Sequence, residues 1–114
     1  MPTVIALLCL LGAAILEAAG DAVVRSGLGR LLGVSVGKGV LLVVVGGLLL
    51  LAYGCLVNAP RWDFGRLLGV YVCFFFVVAQ VINRVAFHQQ PSLPILVGGA
   101  FIVCGGLLIT FWRA

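Results

Sequence analysis

Acidic side chains are nearly absent from this chain: its 114 residues include three Asp and Glu together, against seven Lys and Arg and one His. With so little carboxylate and imidazole, and with no nucleophile motif, phosphate loop or metal-ligand cluster, the sequence reads as a carrier and not as an enzyme. The four cysteines, Cys9, Cys55, Cys73 and Cys104, contain no Cys-x-x-Cys pair. They support neither a metal site nor a disulfide framework, and read as small apolar packing residues. No cofactor is expected. The formal net charge is +4, but it is spread over the ends of apolar runs without the basic, aromatic-interleaved stretch that nucleic-acid surfaces use. Strict period-two alternation is also missing, and an outer-membrane barrel would need it.

What is there is apolar. Hydrophobic residues make up 64% of the chain and charged residues 9%, with a mean hydropathy of +1.34. A soluble domain of this size could not hide so much apolar surface. A bilayer core of about 30 Å takes about 20 helical residues, and four such runs can be drawn: about Thr3 to Val24, Gly39 to Val57, Phe64 to Phe87 and Leu93 to Trp112. Asn58-Ala59-Pro60 and His88-Gln89-Gln90-Pro91-Ser92 mark turns between them. The segments outside the runs are too short to fold alone. The expectation is an all-α integral membrane protein, one four-transmembrane-helix bundle over residues 1–114 and dimeric, in the cell (inner) membrane with the lipid bilayer as its first partner. A cleaved signal peptide ending near Ala18-Ala19-Gly20 is the competing account of the first run. It lacks a leading Lys or Arg and contains Glu17, so it is read as helix one.

With four spans, both termini and the middle loop share one side and carry Arg61, Arg66 and Arg113, while the other two loops carry Arg25, Arg30, Lys38 and Arg84. So even a distribution gives the positive-inside rule nothing to act on, and insertion in both orientations is expected. Glycine is abundant, at 16 residues. In lipid, small residues mark the faces where helices meet. Gly98-Gly99 and Gly105-Gly106 lie two turns apart on helix four, a face suited to packing within the subunit or to a dimer seam. The dimer seam is the expectation.

Glu17 lies inside the first apolar run. An acid at membrane depth costs roughly 2.5–3.5 kcal/mol on insertion scales, and such residues are retained for function. Glu17, Asp21 and Arg25 follow an i, i+4, i+8 ladder and project from one stripe. Helix three carries Gln80, Asn83 and Arg84 near its end and Arg66 near its start. Both stripes are expected to face inward, toward each other or a wet cavity. The plainer alternatives are an Asp21–Arg25 pair that neutralises itself at the helix end, with Arg25 snorkelling to the headgroups, and a Glu17 satisfied by Gln80 or Asn83. Tyr53 is a candidate for the pocket. Tyr71 lies nine residues from Gln80, about half a turn out of phase, and is expected to face away from that stripe. Trp62 and Trp112 read as interfacial anchors.

A carboxyl that exchanges a proton for a cation is the chemical minimum for proton-coupled antiport. The order of features is similar to the small multidrug resistance family and the related short YnfA-type proteins of the drug/metabolite transporter superfamily. The likeness covers nearly the whole chain: Glu17 after small and apolar residues, Pro60 and Gly65 entering helix three, Gly65-Arg66, the string Gly69-Val70-Tyr71-Val72-Cys73, and the tail from Phe87 to Gly106. The resemblance implies an antiparallel, dual-topology homodimer in which two copies of Glu17 line one pocket. It implies binding of protons and substrate at Glu17, and a dimer contact through Gly98, Gly99, Gly105 and Gly106.

The chain departs from the family's pattern in having no Trp within helix three, in adding Asp21 and Arg25 to helix one, and in adding Arg84 to helix three. Arginine recognises phosphate and carboxylate bidentately and suits hydrophobic cations poorly. The leading expectation, carried by Glu17, is a proton-coupled exporter of small cationic metabolites or drugs. The arginines supply one alternative, a flippase-type carrier of an anionic or lipid-linked metabolite, and a non-transporting accessory subunit is the other.

Overall fold

The computed structural model describes residues 2–33 and 35–112, and these form four α-helices: α1 (Thr3–Leu31), α2 (Val36–Val57), α3 (Phe64–Phe87) and α4 (Leu93–Phe111). All four are long and apolar enough to cross a membrane. Most of their large side chains face outward, as with Leu48, Leu51 and Phe101, exposed at 62%, 67% and 76%. That is the distribution expected where lipid, and not water, is the surrounding solvent.

Local chemistry sets the ends of the helices. The Asp63 side chain accepts a hydrogen bond from the Arg66 N–H at 3.1 Å and starts α3. α3 stops where His88 enters the left-handed region (φ 54°), with the Gln89 N–H bonded back to the Asn83 carbonyl at 3.2 Å. Asn58 Nδ2 donates to the Gly54 carbonyl at 2.8 Å as α2 ends, and Pro94 sits in the first turn of α4, where its missing N–H costs nothing.

Two boundaries differ from the sequence expectation. α1 runs on to Leu31 instead of ending near Val24, and α2 begins at Val36 instead of Gly39. The stretch Ser26-Gly27-Leu28-Gly29 has poor intrinsic helix propensity, but tertiary contact overrides it. A Cβ on Gly27 would lie 2.9 Å from the Gly39 carbonyl, and one on Gly46 would lie 2.9 Å from the Gly20 carbonyl. The two backbones touch along their length because those positions have no side chain, and the pair stays helical beyond the apolar run. At 1.5 Å per residue, the 29 residues of α1 reach about 43 Å, well past a hydrocarbon core of about 30 Å.

α1 packs against α2 on one side and α3 on the other, and α4 packs on the far side of α3. The core is small and lies toward the end that holds the start of α1: Leu10, Ala13, Ala14, Val57, Leu67, Val70 and Tyr71. Contact between α3 and α4 depends on Gly99 and Gly106. A Cβ on either would run into the Phe76 ring or Cys73, respectively. Gly98 and Gly105, one residue before each, meet nothing within 4 Å. The stripe expected to form a dimer seam therefore divides, with Gly99 and Gly106 packed within the subunit and Gly98 and Gly105 facing outward.

This division predicts that Gly106→Val lowers stability by about 1–3 kcal/mol, the usual cost of overpacking, while Gly105→Val leaves the monomer within about 0.5 kcal/mol of wild type. Equilibrium unfolding in mixed micelles, at protein-to-detergent ratios that keep the chain monomeric, distinguishes the two. Equal losses would mean that α4 is rotated from the position described.

Candidate functional site

Glu17 projects from the middle of α1 toward α3, where Tyr71 Oη donates a hydrogen bond to Glu17 Oε1 at 2.6 Å. Tyr71 is 4% exposed and belongs to the core cluster, while Glu17 is half-buried. A short hydroxyl-to-carboxylate bond of this kind is among the stronger neutral-to-charged hydrogen bonds. Tyr53 of α2 packs on Tyr71 with ring centroids 5.6 Å apart, and Phe75 stacks on Tyr71 at 6.1 Å. One carboxylate is thus held by the ring that two other aromatics, one from α2 and one from α3, pack against.

Tyr71 lies half a turn from Gln80 on α3, the expected separation, and on its own face it meets Glu17 of α1, a contact the phase relation within α3 does not reveal. Gln80 stands at the border between the α1–α3 cleft and the α3–α4 groove and lines both. Tyr53, the expected pocket residue, is not among the residues that line the cleft described below and packs on Tyr71.

Beyond the Glu17–Tyr71 contact, α1 and α3 separate around a cleft of about 540 Å³. Its α1 wall holds Ala18, Asp21, Ala22 and Arg25, and its α3 wall holds Phe75, Gln80, Asn83 and Phe87. These are the C-terminal halves of both helices, so the cleft lies toward the face that carries the α1–α2 and α3–α4 loops. The core around Leu10 and Leu67 closes the opposite end. A volume of this order suits a small metabolite.

The expected polar residues are distributed unevenly. Asp21, Gln80 and Asn83 line the cleft together with Arg25. Arg84 does not: it is exposed and absent from the lining, because one residue beyond Asn83 turns it about 100° around the helix. Glu17 lies a turn below Asp21, at the closed end and not among the lining residues. Arg25 rests its guanidinium 5.4 Å from the centre of the Phe87 ring. Gln80 Oε1 is shielded from solvent and has no hydrogen-bond partner among the described residues, a condition that costs about 1–3 kcal/mol.

Arg66 serves a different end of the molecule. Its guanidinium lies 5.0 Å from the Trp62 ring and donates to the Thr110 carbonyl at 3.4 Å, tying the last turn of α4 to the start of α3. Trp62 is half-buried against the core cluster, so it has a packing partner besides the interface expected for it. Trp112 is 68% exposed. Arg113, counted in the charge balance, lies outside the described residues.

The Tyr71–Glu17 bond makes a quantitative prediction. Tyr71→Phe should cost about 1.5–3 kcal/mol of stability, the range for a hydrogen bond to a charged group. In a Glu17→Gln background the same substitution should cost less than half as much, and a double-mutant cycle on detergent unfolding gives the coupling. Additive losses would show that the two side chains are not joined.

No family model matches this chain, and neither does any curated protein or solved structure.

Proposed function

We propose that this chain is a small membrane carrier that exchanges protons for a small cation-bearing metabolite, with Glu17 as the proton-exchanging group and the α1–α3 cleft as the substrate path. The observation that carries this reading is the Tyr71–Glu17 hydrogen bond at the closed end of a cleft that is walled by Asp21, Gln80 and Asn83. A phenolic hydroxyl fixes the carboxylate in one orientation but brings no positive charge. The charge of Glu17 is left to be balanced by a proton or by a cation, and the two compete for it. Asp21, one turn nearer the mouth, adds negative potential along the route a cation would take.

An antiparallel homodimer in the inner membrane fits the same reading. The nearly equal Arg and Lys counts on the two faces favour dual insertion. The outward face of α4, with Gly98 and Gly105 open, offers close backbone approach to a second copy. One further observation favours a second reading. Arg25 stands in the cleft wall, and a guanidinium there suits a phosphate or carboxylate. A flippase-type carrier of an anionic, lipid-linked metabolite is therefore the alternative.

Proton release from purified protein in lightly buffered detergent tests the choice. Titration with tetramethylammonium should release protons from wild type, approaching one per cation bound, and none from Glu17→Gln. Failure of tetramethylammonium to release protons, with binding of a polyprenyl-phosphate sugar that survives Glu17→Gln, would replace the antiporter with the anion carrier.

A further inference from the structure

Asp21 and Arg25 stand on the same wall of the same cleft, one helical turn apart. Oppositely charged residues at this spacing ordinarily pair with each other. Here they do not: among the described residues no hydrogen bond joins Asp21 to Arg25, and neither side chain has another hydrogen-bond partner. The Arg25 guanidinium is drawn across the mouth to Phe87, 5.4 Å from the ring centre. A guanidinium that rests on an aromatic ring keeps its N–H donors at its rim, where a carboxylate or phosphate can take two at once. Asp21, exposed on the cleft wall, has no protein donor among the described residues and is open to a ligand. The opposite wall supplies groups of both kinds in the amide of Asn83, together with Gln80, whose Oε1 has no partner.

We infer that the cleft takes a zwitterionic ligand, a small molecule or headgroup bearing one cationic and one anionic group a few bonds apart, with its cation at Asp21 and its anion at Arg25. The inference rests on the reading of this cleft as the substrate path, and it narrows that reading. A simple cation would meet Arg25 at the mouth as a like charge, and a simple anion would meet Asp21 a turn further in. A ligand carrying both charges meets neither repulsion and makes both hydrogen-bonded ion contacts. Two sources supply such chemistry, a free amino-acid-like metabolite and the headgroup of a zwitterionic phospholipid.

Equilibrium binding to the full chain in phosphatidylglycerol nanodiscs, with three probes of one skeleton, tests the inference. L-Phenylalanine carries both charges, its methyl ester only the cation, and its N-acetyl derivative only the anion. Wild type should bind the ester and the N-acetyl derivative at least about tenfold more weakly than phenylalanine, the loss expected for one charge-assisted hydrogen bond. Asp21→Asn should remove the preference over the N-acetyl derivative alone, and Arg25→Gln the preference over the ester alone. Adding phosphatidylethanolamine to the nanodiscs separates the sources: suppressed phenylalanine binding marks the lipid headgroup as occupant, and unchanged binding marks a free metabolite.

Ester or N-acetyl derivative binding as tightly as phenylalanine would overturn the inference, and so would binding of none of the three. Glu17→Gln keeps this result distinct from the antiport reading. If the charge preference survives in Glu17→Gln but wild type releases no protons, the zwitterion site stands and proton exchange falls. If wild type releases protons on cation binding without any preference for phenylalanine, the reverse holds.

Discussion

The hydrogen bond from Tyr71 to Glu17 joins α1 to α3 at the level where close packing gives way to open space. On one side of it lie Leu10, Ala13, Ala14, Leu67 and Val70, all essentially without solvent contact. On the other side the same two helices diverge around the cleft. A carboxylate at this depth needs a donor, and the donor is a residue that belongs to the core, so the polar site and the packed end of the molecule share one side chain. Positioning of Glu17 is therefore inseparable from the packing of Tyr71 against Tyr53 and Phe75.

Around that junction the fold is held by the absence of side chains more than by their presence. Gly20 and Gly27 meet Gly46 and Gly39, and Gly99 and Gly106 meet Phe76 and Cys73. For helices long and apolar enough to cross a membrane, van der Waals contact at short backbone separation does in lipid the work that burial does in water. Few large residues here are fully buried, Leu10 and Val70 among them.

Much of this was legible in the sequence. The number of helices followed from the lengths of the apolar runs, and the bounds of α3 and the start of α4 followed from the turns at Asn58-Ala59-Pro60 and His88–Ser92, where local chemistry decides. The end of α1 did not follow, because Ser26, Gly27 and Gly29 read as a loop by propensity and become helical through contact with α2. The seven-residue spacings of Gly20 with Gly27 and of Gly39 with Gly46 were the available signal. Asp21, Gln80 and Asn83, which the polar ladder singles out, line one cleft. The ladder did not lead to the Tyr71–Glu17 contact, because the phase of Tyr71 against Gln80 fixes which way it turns on α3 and not which residue of α1 it meets. Arg84 was misplaced because it neighbours Asn83 in the chain, while on a helix adjacent residues point in different directions.

α4 touches its own chain through α3, by way of Gly99 and Gly106 and the Arg66–Thr110 contact. Its opposite surface, which includes Gly98, Gly105 and Phe101, answers to no packing requirement inside the subunit. Substitutions there are neutral to this chain's own folding, so any restriction on which residues are tolerated on that surface is imposed from outside the polypeptide. The inner and outer faces of one short helix are thus subject to separate selective pressures, and a map of tolerated residues along α4 would record the molecule's surroundings on one side and its architecture on the other.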